Sequence, residues 1–329
     1  MGMENDVMLS YFEDNERFAD LFNFVYFDGA QVVKASELEE GSEVYIPKTK
    51  RKKRDKKDSD KPRIRDIKKR MKSGEELKIL ALEAQSAVNY IMPWRCMDYD
   101  CREYGRQITG VQRANRRADE AGEKVYADAG ERLSEFRKKD RIAPVYTLCV
   151  YHGAEEWDGP RSLKDMMEFG SSRAWEQFFG DYPMRLLCVN EIKDFSGLKT
   201  EVREVFRLLP HRQDRAKVQE VLQENPEYQR MDKETAETIS LLMGVDAFME
   251  KEEKYRDGKK YNMCKALRDM MEDSRMEGHA EGHAAGILVG IQVLIRENRD
   301  AGVSDEVIAE KLQKYYSLSV EEAWERVKE

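Results

Sequence analysis

The stretch LKILALEAQS, Leu77 to Ser86, is apolar over most of its length and ends in an acid and an amide. Alternate residues of a β-strand share a face of the sheet. Glu83 and Gln85 are therefore expected to point the same way, together with Ile79 and Ala81. The pattern predicts a core strand whose carboxyl end presents a small polar patch.

The segment before it, residues 63–71, is a second candidate strand, and the turn with Gly74 between the two indicates a β-hairpin. Asp66 lies eight residues before Gly74 and Glu83 nine after it, so the two carboxylates are expected nearly opposite each other. Such a pair repels unless one acid is protonated or a cation lies between them, and oxygen ligands suit Mg²⁺ or Mn²⁺. The alternative is that Glu83 is a strand-end acid paired with a basic residue such as Arg65.

Strands and helices alternate over the first half of the chain. Helices are predicted over residues 10–28 and 86–107, and strands over residues 143–151 and from Met184. This order predicts an α/β core. From about residue 195 the pattern is helical almost throughout, so we expect a first domain over 1–195 and a helical region over 196–329. That second region contains a helix with glycines at every fourth position and a terminal helix pair. The glycines are Gly278, Gly282, Gly286 and Gly290.

Composition narrows the class of protein. The 329 residues are 40% hydrophobic and 37% charged, and the net charge of -8 argues against a uniformly basic nucleic-acid binder. The five cysteines form no CxxC pair, which favours free thiols in a reducing compartment. The acidic N-terminus is unlike a signal peptide, and no apolar run reaches the length of about 20 residues that a bilayer requires. We therefore expect a soluble, cytoplasmic protein with no membrane contact.

Two groups of residues are candidates for holding DNA. Eight of the ten residues from Lys48 to Lys57 are basic, among them Lys52, Lys53 and Arg54. This block could bind phosphates by releasing counterions, or it could be a solvated insertion.

The second group is Arg95, Tyr99 and Arg102, which share one face of the predicted helix after the strand. The face could hold phosphates and stack a base. Alternatively, Tyr99 packs in the core and the arginines form ion pairs.

Several stretches together resemble a known family. They are DNERFADLFN at residues 14–23, RD at 65–66, LEAQS at 82–86, YIMPWRCMDYD at 90–100, APVYTLCVYHGAEEWDGPRSL from Ala143, and the EGHAEGHAAG run. In this order they resemble the recombination-promoting nuclease (Rpn) branch of the PD-(D/E)xK superfamily, the PD-(D/E)XK nuclease family transposases. The likeness spans most of residues 10–290.

The resemblance implies a restriction-endonuclease-like core with a mainly α-helical C-terminal region. It implies a metal-dependent DNA endonuclease, linked to recombination or mobile elements, in which Asp66, Glu83 and the carbonyl of Ala84 bind Mg²⁺ or Mn²⁺. Gln85 takes the place of the superfamily's lysine and can orient water only through hydrogen bonds. Glu16 is a candidate for an extra ligand, and Asp14 is its competitor.

Two functions therefore stay open: the endonuclease, and a weak or inactive nuclease-fold protein that acts in DNA binding or self-association. The glycine-spaced helix favours self-association or an interdomain contact in either case, because its small face would let two helices approach closely.

Overall fold

The computed structural model describes residues 3–41, 67–74, 76–171 and 173–328. The predictions made for Asp66, Lys52, Lys53 and Arg54 concern residues outside these ranges.

A mixed β-sheet of five strands forms the centre of the N-terminal part, in the order β1-β2-β3-β4-β5. Strand β2 is antiparallel to both β1 and β3, whereas β3, β4 and β5 run parallel to one another. Their bounds are Leu38–Glu40 (β1), Ile67–Ser73 (β2), Glu76–Gln85 (β3), Val145–Tyr151 (β4) and Arg185–Cys188 (β5). The predicted α/β class is thus confirmed.

The hairpin of β2 and β3 has the predicted position. Gly74 adopts a φ of 61°, the left-handed conformation that favours glycine in a tight turn. The described register pairs Ile67 with Leu82, and Asp66, the residue before Ile67, lies outside the described residues. From Ile79 onward every residue of β3 is buried, because the strand has a neighbour on either side and helices cover both faces.

Two helices, α1 (Met3–Phe12) and α2 (Asn15–Phe27), pack on one face of this sheet. A single helix over 10–28 was predicted. The chain breaks instead at Asp14, whose carboxylate accepts hydrogen bonds from the backbone N–H groups of Glu16 and Arg17 and so caps α2. Gly29 follows the end of α2 with a φ of 84°. A Cβ at Gly29 would lie 2.7 Å from the carbonyl oxygen of Gly197.

The opposite face is covered by one long helix, α3 (Met92–Glu120). The helix predicted over 86–107 is present, but its predicted start was wrong. It starts six residues later, because Pro93 is tolerated only in the first turn, and it continues without interruption through the charged segment. The loop from Ser86 to Ile91 therefore joins the carboxyl end of β3 to the start of α3.

The rest of the described chain is mostly helical, as predicted, and it contains a small hairpin that the sequence pattern did not reveal. The helices are Ala129–Ser134 (α4), Val202–Leu208 (α5), Arg215–Glu224 (α6), Lys233–Met243 (α7), Asp246–Glu250 (α8), Glu252–Tyr255 (α9), Met263–Asp300 (α10), Asp305–Tyr316 (α11) and Val320–Lys328 (α12). The hairpin strands are Arg256–Asp257 (β6) and Lys260–Tyr261 (β7).

Two compact units divide the chain, Met1–Cys264 and Lys265–Glu329. The helices α5 and α7 contact α2 and α1, so helical residues beyond 195 are part of the first unit. The domain boundary predicted at residue 195 marks where the helical pattern begins, not where a compact unit ends, and it stays a prediction. In the second unit, the end of α10 packs with α11 and α12 around Ile291, Ile308 and Leu312.

Among the described residues, none of the helices combines the length and the apolar character that crossing a membrane requires.

Candidate functional site

The polar residues at the end of β3 lie on the face that α3 covers. Glu83 pairs with Cys149 and Gln85 with Tyr151 in the parallel register, and residues paired in this way share a face. Cys149 and Tyr151 pack with Met92 and Cys96, near the start of α3. The predicted alternation along the strand is therefore confirmed, and it directs Glu83 and Gln85 toward the helix.

Glu83 is fully buried and lies beside a cation. Its Oε2 atom is 3.5 Å from Nη2 of Arg95, in the first turn of α3. A carboxylate removed from water needs a compensating charge or strong hydrogen bonds, since burial alone would favour its neutral form. Burial and the carboxylate of Glu83 both raise the pKa of the nearby Cys149 thiol, burial having the larger effect. Arg95 thus places a positive charge beside this buried acid.

Ala84 and Gln85 complete the end of the strand. The carbonyl of Gln85 accepts a hydrogen bond from the backbone N–H of His152, on the β4 side. Because successive carbonyls of a strand point to opposite sides, that of Ala84 faces the β2 side. Nε2 of Gln85 donates to the Ala84 carbonyl over 2.7 Å. The carboxylate of Glu83 and the carbonyl oxygen of Ala84 thus belong to consecutive residues of β3. The amide of Gln85 is hydrogen-bonded to the Ala84 carbonyl.

An open cavity of about 370 Å³ lies next to this end of the sheet. Its lining includes Arg95, Asp98 and Tyr99, with Trp94 beside them. Arg95 also stands over the ring of Tyr99, its Cζ 5.9 Å from the ring centroid. The guanidinium group therefore contacts the buried acid on one side and the solvent-filled cavity on the other.

The predicted face of Arg95, Tyr99 and Arg102 is only partly assembled around the cavity. Tyr99 is buried, and Arg102 is ion-paired with Asp98 at 2.9 Å. The structure therefore agrees with the packing alternative, in which Tyr99 is buried and both arginines form ion pairs, and Arg95 and Tyr99 also line the cavity. Asp98 is a wall residue that the sequence pattern did not single out, although its i, i+4 spacing to Arg102 indicates the ion pair.

Further acids line the interface between α3 and the sheet. Asp100 accepts hydrogen bonds from the hydroxyls of Thr147 and Tyr182, at 2.6 and 2.5 Å. Glu103 is paired with Lys68 of β2 and with Arg106. Burial tends to raise the pKa of Glu103, but these two cations hold it below its usual value, while burial lowers the pKa of Lys68. The sequence pattern did not reveal these buried charges between α3 and the sheet.

Glu16, the candidate extra ligand, is exposed in the first turn of α2. Its helix packs on the face of the sheet that carries Lys69: the Lys69 ammonium lies 5.2 Å from the ring centroid of Phe18 and 2.5 Å from Oδ1 of Asn15. Glu83 points to the other face. The structure therefore does not join Glu16 to Glu83 across the sheet, and the competitor Asp14 is occupied as the cap of α2.

His152 is buried directly after β4 and was not singled out by the sequence. Its Nε2 atom lies 3.1 Å from Oδ1 of Asn5 in α1, and its carbonyl accepts a hydrogen bond from Arg212. Burial and the charge of Arg212 lower the pKa of the imidazole to about 4. The ring is therefore neutral at physiological pH and belongs to the face opposite Glu83.

Within the described ranges, no group of three or more His, Cys, Asp or Glu side chains is arranged to hold a metal ion. Asp66 falls outside those ranges. The structure brings Glu83, the Ala84 carbonyl, Gln85 and Arg95 together at one end of β3. No protein-family model, no curated protein and no solved structure matches the chain.

Proposed function

We propose that the protein is a divalent-metal-dependent DNA endonuclease of the Rpn type, which hydrolyses phosphodiester bonds and acts in recombination or on mobile elements. The observation that carries this proposal is the fully buried carboxylate of Glu83 at the end of β3, paired with Arg95, which itself lines an open cavity. A buried acid whose cationic partner lines a cavity is a candidate functional position.

The order of elements also supports the proposal. A helical layer is followed by three antiparallel strands, then by a crossover helix and a parallel strand. This is the order expected of a restriction-endonuclease-like core, and Glu83 lies at the carboxyl end of its third strand. The likeness concerns the fold, and fold alone does not determine an activity.

The residues present suit a hard cation such as Mg²⁺ or Mn²⁺. Glu83, the carbonyl of Ala84 and Asp66 would hold the cation. Asp66 directly precedes Ile67 in the chain, and Ile67 pairs with Leu82, the residue before Glu83. When bound, the metal supplies Lewis-acid stabilisation of the phosphate and lowers the pKa of a bound water. Gln85 would orient the attacking water through its amide, and this neutral group cannot take up a proton as lysine can.

DNA would enter along the cavity at the start of α3. Arg95 offers a bidentate donor for a phosphate oxygen, and in the proposed function the basic residues Lys52, Lys53 and Arg54 add sequence-independent attraction. The overall charge of -8 does not oppose this, because local patches rather than the net charge determine phosphate binding.

A nicking assay on supercoiled plasmid DNA with Mg²⁺ or Mn²⁺ tests the activity. We expect the wild type to produce nicked circles and Glu83→Gln to lower the rate by at least about 100-fold, since the substitution removes a ligand charge. The matched control is Glu76→Gln, the same change at the exposed opposite end of β3, which should keep full activity. Equal rates for all three proteins would remove Glu83 from the mechanism.

The second candidate is a nuclease-fold protein that binds DNA or self-associates without cleaving it. Two contacts favour it: Arg95 already compensates Glu83, and the Gln85 amide already satisfies the Ala84 carbonyl. In this case the wild type would bind DNA, and no divalent metal would produce nicks.

Self-association through the C-terminal helical region accompanies either function. A Cβ added at Gly278, Gly282 or Gly286 would meet no neighbouring atom within 4 Å, so there is open space beside α10 at these three glycines. Gly290 differs, because a Cβ there would clash with the hydroxyl of Tyr316. Glycine costs a helix about 1 kcal/mol relative to alanine, and close approach of a second α10 would offset that cost.

Light scattering after size exclusion measures the association. Gly282→Leu is expected to lower the oligomer mass to that of a monomer, because the side chain would separate the helices. Gly105→Leu, at an open glycine of α3, is the matched control and should leave the mass unchanged. A wild type that is monomeric at every concentration would contradict this proposal.

A further inference from the structure

The position of Arg95 between two environments suggests more than a fixed DNA contact. Its guanidinium lies 3.5 Å from the fully buried carboxylate of Glu83, yet its side chain is 23% exposed and lines the cavity. Arg95 can therefore reach either the acid or a group in the cavity through changes in its own side-chain torsions. A long side chain with a charged tip commonly has this freedom.

A cation at Glu83 and the guanidinium of Arg95 compete for the same carboxylate. Both are positive, and in a site of reduced polarity like charges a few ångströms apart repel strongly. Metal binding at Glu83 thus favours displacement of Arg95 toward the cavity. A phosphodiester in the cavity favours the same displacement, because guanidinium binds phosphate oxygens in a bidentate manner.

On the premise of the metal site proposed above, we propose that Arg95 couples metal binding to DNA binding. Without ligands it compensates Glu83; with metal and DNA it leaves Glu83 to the metal and takes a phosphate oxygen. Each ligand then removes the obstacle to the other, so the two bind cooperatively. By linkage, DNA raises the affinity for metal by the same factor by which metal raises the affinity for DNA.

The surroundings of Arg95 support such an exchange. Asp98, the acid on the cavity wall, is paired with Arg102, so it already has a cation of its own. The ring of Tyr99 provides a face over which the guanidinium stands, and a flat aromatic surface stabilises a cation in more than one position. Arg95 is therefore a positioning residue for the metal and a contact residue for the phosphate.

The test is calorimetric titration with Ca²⁺, which shares the preference of Mg²⁺ for oxygen ligands, with and without a short duplex DNA. In the absence of DNA, we expect Arg95→Gln to bind Ca²⁺ at least about tenfold more tightly than the wild type. DNA should raise the Ca²⁺ affinity of the wild type by about tenfold or more, within the usual range of coupling between sites, and leave that of Arg95→Gln nearly unchanged. Anisotropy of the labelled duplex measures the reciprocal effect.

Two variants separate this role from a structural one. Arg95→Lys keeps the charge and should retain part of the coupling. Arg116→Gln removes another arginine of α3 that is ion-paired with a glutamate, Glu135, and should behave as the wild type. Far-ultraviolet circular dichroism confirms that each variant is folded.

The outcomes are distinguishable from failure of the proposed function. If Glu83→Gln abolishes Ca²⁺ binding while Arg95→Gln binds Ca²⁺ and responds to DNA as the wild type does, the coupling is refuted and the metal site stands. If the wild type and Glu83→Gln bind Ca²⁺ equally, or neither binds it, the metal site at Glu83 is refuted and the coupling with it.

Discussion

The buried imidazole of His152 makes the stability of the protein depend on pH in a calculable way. Burial and Arg212 lower the pKa of His152 to about 4, from 6.5 for an unperturbed histidine. The unfolded chain therefore binds a proton more readily than the folded one. Stability is fully present above pH 6.5 and falls as the pH decreases from 6.5 through 4.

The magnitude follows from the two pKa values. Between pH 7.5 and pH 5 this single group is expected to lower the free energy of unfolding by about 2 kcal/mol. Well below pH 4 the loss approaches about 3.5 kcal/mol, because the full difference of about 2.5 pKa units at about 1.4 kcal/mol per unit then applies.

His152→Gln removes the titration and retains an amide that can donate to Asn5. Its free energy of unfolding should change with pH by about 2 kcal/mol less than that of the wild type over the same interval. Urea unfolding followed by tryptophan fluorescence provides the measurement, since Trp94, Trp157 and Trp175 lie in the first compact unit.

The matched control is His279→Gln, the same change at an exposed histidine of α10, which should keep the pH dependence of the wild type. Identical pH dependence of His152→Gln and the wild type would refute the reasoning. So would a titration of His152 by nuclear magnetic resonance with a midpoint at or above 6.5.

Three further outcomes concern packing. Asp100→Ala should lower the free energy of unfolding by about 3 kcal/mol, because the hydroxyls of Thr147 and Tyr182 lose this buried acceptor, and urea unfolding measures the change. Gly153→Ala should cost about 2 kcal/mol in the same assay, since its Cβ would lie 2.6 Å from the carbonyl of Ser86; an unchanged midpoint would contradict that contact. In the monomer, Gly282→Ala should stabilise α10 by about 1 kcal/mol. Gly290→Ala should stabilise it less, because its Cβ would meet Tyr316, and thermal melts followed by circular dichroism compare the two variants.

Local patterns accounted for much of the fold. The alternation in Leu77–Gln85 and the glycine of the turn predicted the hairpin, because side-chain period and turn geometry depend on neighbouring residues alone. The strand near residue 145 and the terminal helix pair followed in the same way. The pattern missed the break at Asp14, since a capping residue within a run of helix formers is outweighed by its neighbours in such a reading.

The site was only partly accessible to the same reasoning. The sequence placed Glu83 and Gln85 on one face of the strand, and the register confirms it. It left Arg95 open between a DNA contact and an ion pair, and it named Arg65 as a possible basic partner for Glu83. The structure puts Arg95 beside Glu83, whereas Arg65 and Asp66 lie outside the described residues and their roles stay predictions.

The sequence by itself therefore determined which residues share a strand or a helix face, and where the turns lie. Only the tertiary structure decided which distant groups meet: that Glu83 is fully buried, that Arg95 lies against it, and that Tyr99 is buried. The physical reason is the distance along the chain between the residues that interact. Secondary structure follows from interactions between close neighbours, whereas the partner of a buried charge depends on how a helix packs across a sheet.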